Sequence, residues 1–324
     1  PALPQKGRVL RYSVLVALVV LAFAGAWLLA GWWQDRKAGD TGEDVQALYH
    51  EAPRVLPAGP LRVYHLGHSL VGRDMPAMLA QLAGQGHDYA LQLGWGTALS
   101  EHFQGPHAIA GFDAENDTPH YRDAHEAVAS GDYDALIITE MVDLKDAIAY
   151  KDSRKAAGQW AAAAAGKPEG EIFLYETWHP LDGKQDWLAR LPQDLETMWK
   201  PDLLWPAARA AGKPVWLIPA GQVMAAVVHE AETQGIAELT SRKQLFGLTA
   251  EGEQDMIHPG DLGLYLVALT HYAVLYGRSP VGLPAALHLA DGTPANAPSP
   301  ELARRMQEIV WQVVREQPLT GISQ

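Results

Sequence analysis

What most constrains this chain is an alternation that begins after Pro60. Short apolar runs at 61–66, 89–93, 135–139, 172–175 and 215–218 recur between longer stretches of helical character. Runs of this length without polar alternation suit strands covered on both faces, which is the situation in a parallel sheet. The intervening segments predict helices over 75–83, 124–130, 156–165, 192–211 and 223–233, with two more over 260–276 and 300–316. Gly84 follows the first of these, as glycine often does at a helix end. Strand and helix in this order predict a doubly wound α/β sandwich around a five-stranded parallel sheet. The alanine-rich patch at 161–165 needs no explanation beyond helix propensity.

The region before Pro60 is of another kind. Residues 12–33 carry no charge over a length that suffices to cross a bilayer as a helix, about 20 residues. Lys6, Arg8 and Arg11 precede it, and Trp32 and Trp33 close it at the level of an interfacial belt. The expected organisation is a cytoplasmic N-terminus (1–11), a single-pass anchor in the cytoplasmic (inner) membrane (12–33), a tether (34–60) and a body (61–324) on the periplasmic side. A cleaved signal peptide is the rival, because Ala24-Gly25-Ala26 offers a small-residue site. The apolar run continues past that site, so length favours the anchor.

Composition excludes several functions. A formal net charge of −13 with scattered Lys and Arg argues against a nucleic-acid partner. The chain has no cysteine, which removes disulfides and thiolate metal sites. His65 and His68, with His102 or His179, lack any metal-ligand spacing such as HExxH and read as ordinary hydrogen-bonded histidines. No GxxxxGK[ST] phosphate loop occurs, and Gly94–Gly96 is too short for a dinucleotide fingerprint. No metal and no cofactor are expected.

In open α/β sheets ligands bind beyond the carboxyl ends of the strands. After the first strand comes Gly67-His68-Ser69-Leu70, where a glycine allows a sharp turn and leaves the Ser69 hydroxyl near a helix entrance. Taken alone, Ser69 reads more readily as a helix cap, a place serine takes routinely. A distant segment changes that balance: Asp255-Met256-Ile257-His258-Pro259, read as a loop before the penultimate helix. An Asp three residues before a His can hold one ring nitrogen while the other faces a nucleophile.

With these residues in hand, the span from Leu61 to about Pro284 resembles the SGNH/GDSL hydrolases. Gly67-His68-Ser69-Leu70 resembles the first block in a divergent GHSL form. Gly94-Trp95-Gly96-Thr97-Ala98-Leu99 resembles the second, and Asp255 with His258 resembles the final D-x-x-H block. The resemblance implies a flavodoxin-like three-layer sandwich and a serine esterase without cofactor, often acting on acyl groups of carbohydrates. It implies a Ser69–His258–Asp255 triad and an oxyanion hole from the Ser69 and Gly96 amides. The third block departs from the pattern: where an Asn is usual, the chain reads Ile138-Thr139-Glu140, so Thr139 becomes the third donor.

Trp95, His102, Glu140, Trp178 and Gln222 lie in or after the strand ends and are expected to bind substrate, an acylated carbohydrate or small ester. Glu176 and His179 flank Trp178 at the same mouth. Ordinary packing is the competing account of the two tryptophans, and Gln222 could equally cap the next helix. Two other functions stay open: an O-acetyltransferase of an envelope or exported polysaccharide, and a membrane-tethered binding or assembly subunit with weak activity.

Overall fold

The computed structural model describes residues 40–51, 54–236 and 238–322. Its centre is a five-stranded sheet: β1 (Arg62–His68), β2 (Asp88–Gly94), β3 (Ala135–Ile138), β4 (Glu171–Glu176) and β5 (Trp216–Pro219). All pairings are parallel and the order is β2-β1-β3-β4-β5, the doubly wound arrangement of flavodoxin-type sheets. The chain thus has the α/β architecture with the five-stranded parallel sheet that the sequence predicts. The anchor expected over 12–33 lies outside the described residues, and among them no helix is long and apolar enough to cross a membrane.

The apolar runs are apolar because both sheet faces are covered. Val63, Leu91, Leu93, Ile137, Phe173 and Ile218 face one core, against the helices Asp74–Ala83, Ala220–Thr233, Asp261–Tyr276 and Pro300–Glu316. Tyr64, Leu66, Leu136, Ile138, Leu174 and Leu217 face the other, against Ser153–Ala164 and Trp205–Ala211. Fully burying one such side chain contributes roughly 1.5–3 kcal/mol, so these two layers hold the strand ends in place. Asp261–Tyr276 is buried from Tyr265 to Tyr276 and reads as apolar all round. Pro300–Glu316 begins at Ser299, whose hydroxyl accepts from the Leu302 amide at 3.3 Å, and has proline in its first turn.

Three expectations are corrected. The helix expected over 192–211 is α-helical over Trp187–Asp194, π-helical over Leu195–Leu204 and α-helical again over Trp205–Ala211. Pro201 sits inside the π-helical part, where the wider turn accommodates a residue without an amide hydrogen. The segment 254–259 is no loop: β7 (Gln254–Pro259) pairs antiparallel with β6 (Phe246–Leu248) in a separate two-stranded sheet.

The described part of the expected tether also belongs to the body, which begins at Gly42. Glu43–Glu51 is a helix whose Val45 is buried and whose Tyr49 hydroxyl donates to Val215 O at 2.8 Å. Arg54 has a fully buried side chain, paired with both oxygens of Glu171 at 2.7 and 3.0 Å. It donates further to the carbonyls of Val274, Leu275 and Thr320 and lies over the Phe173 ring. Buried charge is tolerated when its donors are used in this way.

Candidate active site

Ser69 leaves the carboxyl end of β1, and the sheet register puts His68 beside Gly94 of β2 and Leu66 beside Ile138 of β3. Residues 69–73 form a turn, and the helix starts only at Asp74 with Arg73 at its N-cap. Ser69 therefore caps no helix. Gly67 lies within β1, and its role is close approach rather than turning: a methyl there would meet Thr139 Cγ2 at 2.5 Å and Val71 Cγ2 at 2.9 Å.

From the other end of the chain, β7 brings His258 to this point. His258 Nε2 lies 3.0 Å from Ser69 Oγ, and His258 Nδ1 lies 2.9 Å from Asp255 Oδ2. With Nδ1–H donating to the carboxylate, Nε2 is left to accept the serine proton. Asp255 Oδ1 accepts from the Ile257 and His258 amides, each at 2.8 Å. Partial burial pushes this carboxyl up, but the His258 and Ile257 amides and the imidazole outweigh it and hold it below its ordinary range. It stays ionised, as a group that orients an imidazole must.

Gly96 follows β2 with φ +53°, open space where a side chain would be, and an exposed surface. Among the described residues neither its amide nor that of Ser69 has a protein acceptor. Thr139 does not join them: its hydroxyl donates to Tyr175 O at 2.7 Å, which uses its one hydrogen, and the side chain is fully buried.

Of the five residues expected to bind substrate, Trp95 is the one at the surface, 57% exposed. One side of its indole lies on Gly111 and its Nε1 donates to Glu115 Oε1 at 2.7 Å. Arg73, from the Ser69 turn, reaches the carbonyls of Glu115 and Ala114, so this support is shared with that turn. Nothing in the sequence marks Glu115 for that role.

Of the other four, His102, Glu140 and Trp178 are buried and Gln222 is half-buried with its side-chain amide bonded to the protein. His102 is fully buried, donates from Nε2 to Gly67 O at 2.8 Å and accepts on Nδ1 from Gln92 at 3.0 Å. Burial pushes it down to about 4, so it is a neutral brace for the end of β1. Trp178 is 2% exposed and its Nε1 donates to Ile257 O at 2.9 Å, which steadies the strand carrying His258. Gln222 gives its amide hydrogens to Glu176 Oε1 at 2.8 Å and Leu191 O at 3.1 Å. Glu176 is fully buried, and that burial pushes it up to about 8. Glu140 is fully buried as well, and its contacts run to the protein itself. Strand-end position identified these residues; it could not tell an outward side chain from an inward one.

His65 and His68 are fully buried and His179 is 3% exposed. His68 donates from Nε2 to Glu140 O at 2.8 Å and accepts the Leu70 amide on Nδ1 at 3.3 Å, which fixes the backbone around Ser69. Among the described residues no group of three or more His, Asp or Glu side chains is arranged to hold a metal ion.

No protein-family model matches the chain, and no curated protein matches it. Among solved structures, a gut microbial diltiazem-metabolizing enzyme aligns at 12% identity and a TM-score of 0.34, over 69% of this chain and 48% of that one. That likeness is too loose to carry an argument. A DUF4886 family protein from Bacteroides uniformis aligns at 16% identity and a TM-score of 0.50, over 79% of this chain and 95% of that one. At such identity the likeness concerns the fold, and the α/β body is similar in architecture to that protein along nearly its whole length.

Proposed function

We propose that this chain is a serine esterase of the SGNH type that removes acyl groups, O-acetyl first among them, from carbohydrate. The observation that carries the reading is the unbroken hydrogen-bonded line Asp255–His258–Ser69, made by residues 189 positions apart in sequence. Ser69 Oγ attacks the ester carbonyl as His258 Nε2 takes its proton, and Asp255 stabilises the imidazolium that forms. The oxyanion is held by the Ser69 and Gly96 amides. His258 then protonates the departing sugar oxygen, and water, activated by the same imidazole, releases the acyl group. Trp95 offers an exposed aromatic face just after β2, the strand next to the one that ends before Ser69, suited to the apolar face of a sugar ring. The anchor over 12–33, with the body on the periplasmic side, belongs to the same proposal and rests on the length and flanking charge of that stretch.

The test is acetate or p-nitrophenol release from acetyl esters by the full chain in detergent, beside Ser69→Ala and His258→Ala. Each variant is expected to lose about 10⁴-fold or more in kcat. A folded wild-type protein that turns over no ester and whose Ser69 takes no fluorophosphonate would sink this reading in favour of a binding or assembly role. Including a free oligosaccharide in the assay separates hydrolysis from transfer, since an O-acetyltransferase would acetylate the sugar.

A further inference from the structure

Glu140 lies just beyond the carboxyl end of β3, the central strand of the sheet that carries Ser69, and is fully buried. Its main-chain carbonyl accepts from His68 Nε2 at 2.8 Å, one residue from Ser69. Its side-chain Oε1 accepts from the Leu99 amide at 3.1 Å and the Met141 amide at 2.8 Å. Leu99 opens the helix Leu99–Gln104 and closes the turn that contains Gly96. Trp160 donates to the carbonyl of the same Leu99 at 3.0 Å, so that residue is held at both its amide and its carbonyl. Glu140 is thus bonded to both turns, to the nucleophile turn through its backbone and to the Gly96 turn through its carboxyl.

The remaining oxygen, Oε2, is buried without a hydrogen-bond partner among the described residues, and so is Ser153 Oγ. The two groups lie against each other, and burial pushes the carboxyl up. Ser153 is the one polar side chain at hand for Oε2, as donor to a carboxylate or acceptor from a carboxylic acid, while Oε1 keeps both amides in either state.

We propose that Glu140 is a positioning residue that sets the separation between the Ser69 and Gly96 amides, the two donors of the oxyanion site. Its kinetic consequence rests on the esterase reading; the bond between the turns does not. Thr139 gives its hydrogen to Tyr175, so the third strand supplies no direct donor from that side chain and contributes instead by fixing the other two. Amides that must lie within about 3 Å of a developing charge lose much of their effect when either drifts.

The experiment compares the full chain in detergent with Glu140→Ala, Glu140→Asp and Glu140→Gln, reading p-nitrophenyl acetate kinetics and amide hydrogen exchange. In Glu140→Ala, kcat is expected to fall about 10- to 100-fold while KM stays within about twofold, because the oxyanion donors act mainly in the transition state. Amides over 95–101 are expected to exchange faster, while those of β4 and β5 keep their protection. Glu140→Gln retains both acceptor bonds on Oε1 and can donate to Ser153, so it restores the protection and most of the turnover. Glu140→Asp, with the carboxyl drawn back by one methylene, shifts both readouts in the same direction as alanine and serves if the alanine variant does not fold. Wild-type exchange over 95–101 in the Ala and Asp variants would overturn the proposal, as would wild-type kcat or a change confined to KM. If the wild-type chain hydrolyses no ester, the exchange data still decide whether Glu140 ties the turns, and the esterase reading falls separately.

Discussion

Ser69 and His258 meet at 3.0 Å, but they are carried by very unequal supports. Ser69 stands at the end of an interior strand of the five-stranded sheet, with the buried His68, His102 and Thr139 packed around the residues before it. His258 stands on a strand with one short partner, and its side chain is 48% exposed. The hairpin is secured by a few identifiable bonds: Trp178 Nε1 to Ile257 O at 2.9 Å, Leu181 N to Met256 O at 2.9 Å and Gly260 N to Leu245 O at 3.0 Å. Ser69 is thus fixed by the hydrophobic core, while His258 is fixed by hydrogen bonds near the surface. Changes on the first side should be felt as stability, and changes on the second as rate.

The largest effect should come from removing the base. His258→Ala is expected to abolish at least about 10⁴-fold of kcat while thermal unfolding stays within a few degrees of wild type; a large drop in Tm would mean that the hairpin is integral to the core.

Acid should act in the opposite way. Burial pushes His68 and His102 down to about 4, whereas the unfolded chain takes up the same protons near about 6.5. The unfolded state then binds more protons, so stability is fully present above about 6.5 and is lost as pH falls toward about 4, by up to about 1.4 kcal/mol per unit for each histidine. Urea titrations from pH 7 to 4 measure this, and substituting Gln for either histidine should flatten the slope.

Gly67→Ala comes next. Its methyl would press on Thr139 and Val71, and overpacking of this kind costs about 1–3 kcal/mol. A stability loss with nearly normal kcat at low temperature would support a well-buttressed Ser69; a collapse of kcat without loss of stability would reverse the comparison.

The smallest expected change is Trp178→Phe, which removes one hydrogen bond to the hairpin, about 1 kcal/mol, and so slows kcat about fivefold to tenfold. Unfolding should be little affected. A Tm drop larger than that of Gly67→Ala would show that both supports belong to one core.

The sheet was legible because its physics is one-dimensional. A strand buried on both faces must be a run of apolar residues, and 61–66, 172–175 and 215–218 can be read from the sequence with ends displaced by one or two positions. The contact between Asp255 and His258 was legible through spacing, since residues three apart can fold back on each other. Side-chain direction at the strand ends was not. His102, Glu140 and Trp178 lie at or after strand ends and are buried, because one residue of register decides whether a group meets ligand or core. The hairpin Phe246–Leu248/Gln254–Pro259 was missed because runs this short carry little period-2 signal. The helix Glu43–Glu51 did leave a trace, Val45 and Tyr49 spaced four apart, but charge and nearby Pro and Gly outweighed it.

Arg54 gives the molecule a mechanical property. The start of β4, the end of Asp261–Tyr276 and the turn at Thr320 all converge on one guanidinium, at the edge of the sheet opposite Ser69. A pull on the segment before Leu61 that frees the helix Glu43–Glu51 would next meet this clasp and load it across several bonds at once. Tension would then pass into the start of β4, an interior strand, before it could reach the Ser69–His258 contact at the other end of the strands, so the clasp acts as strain relief for the site.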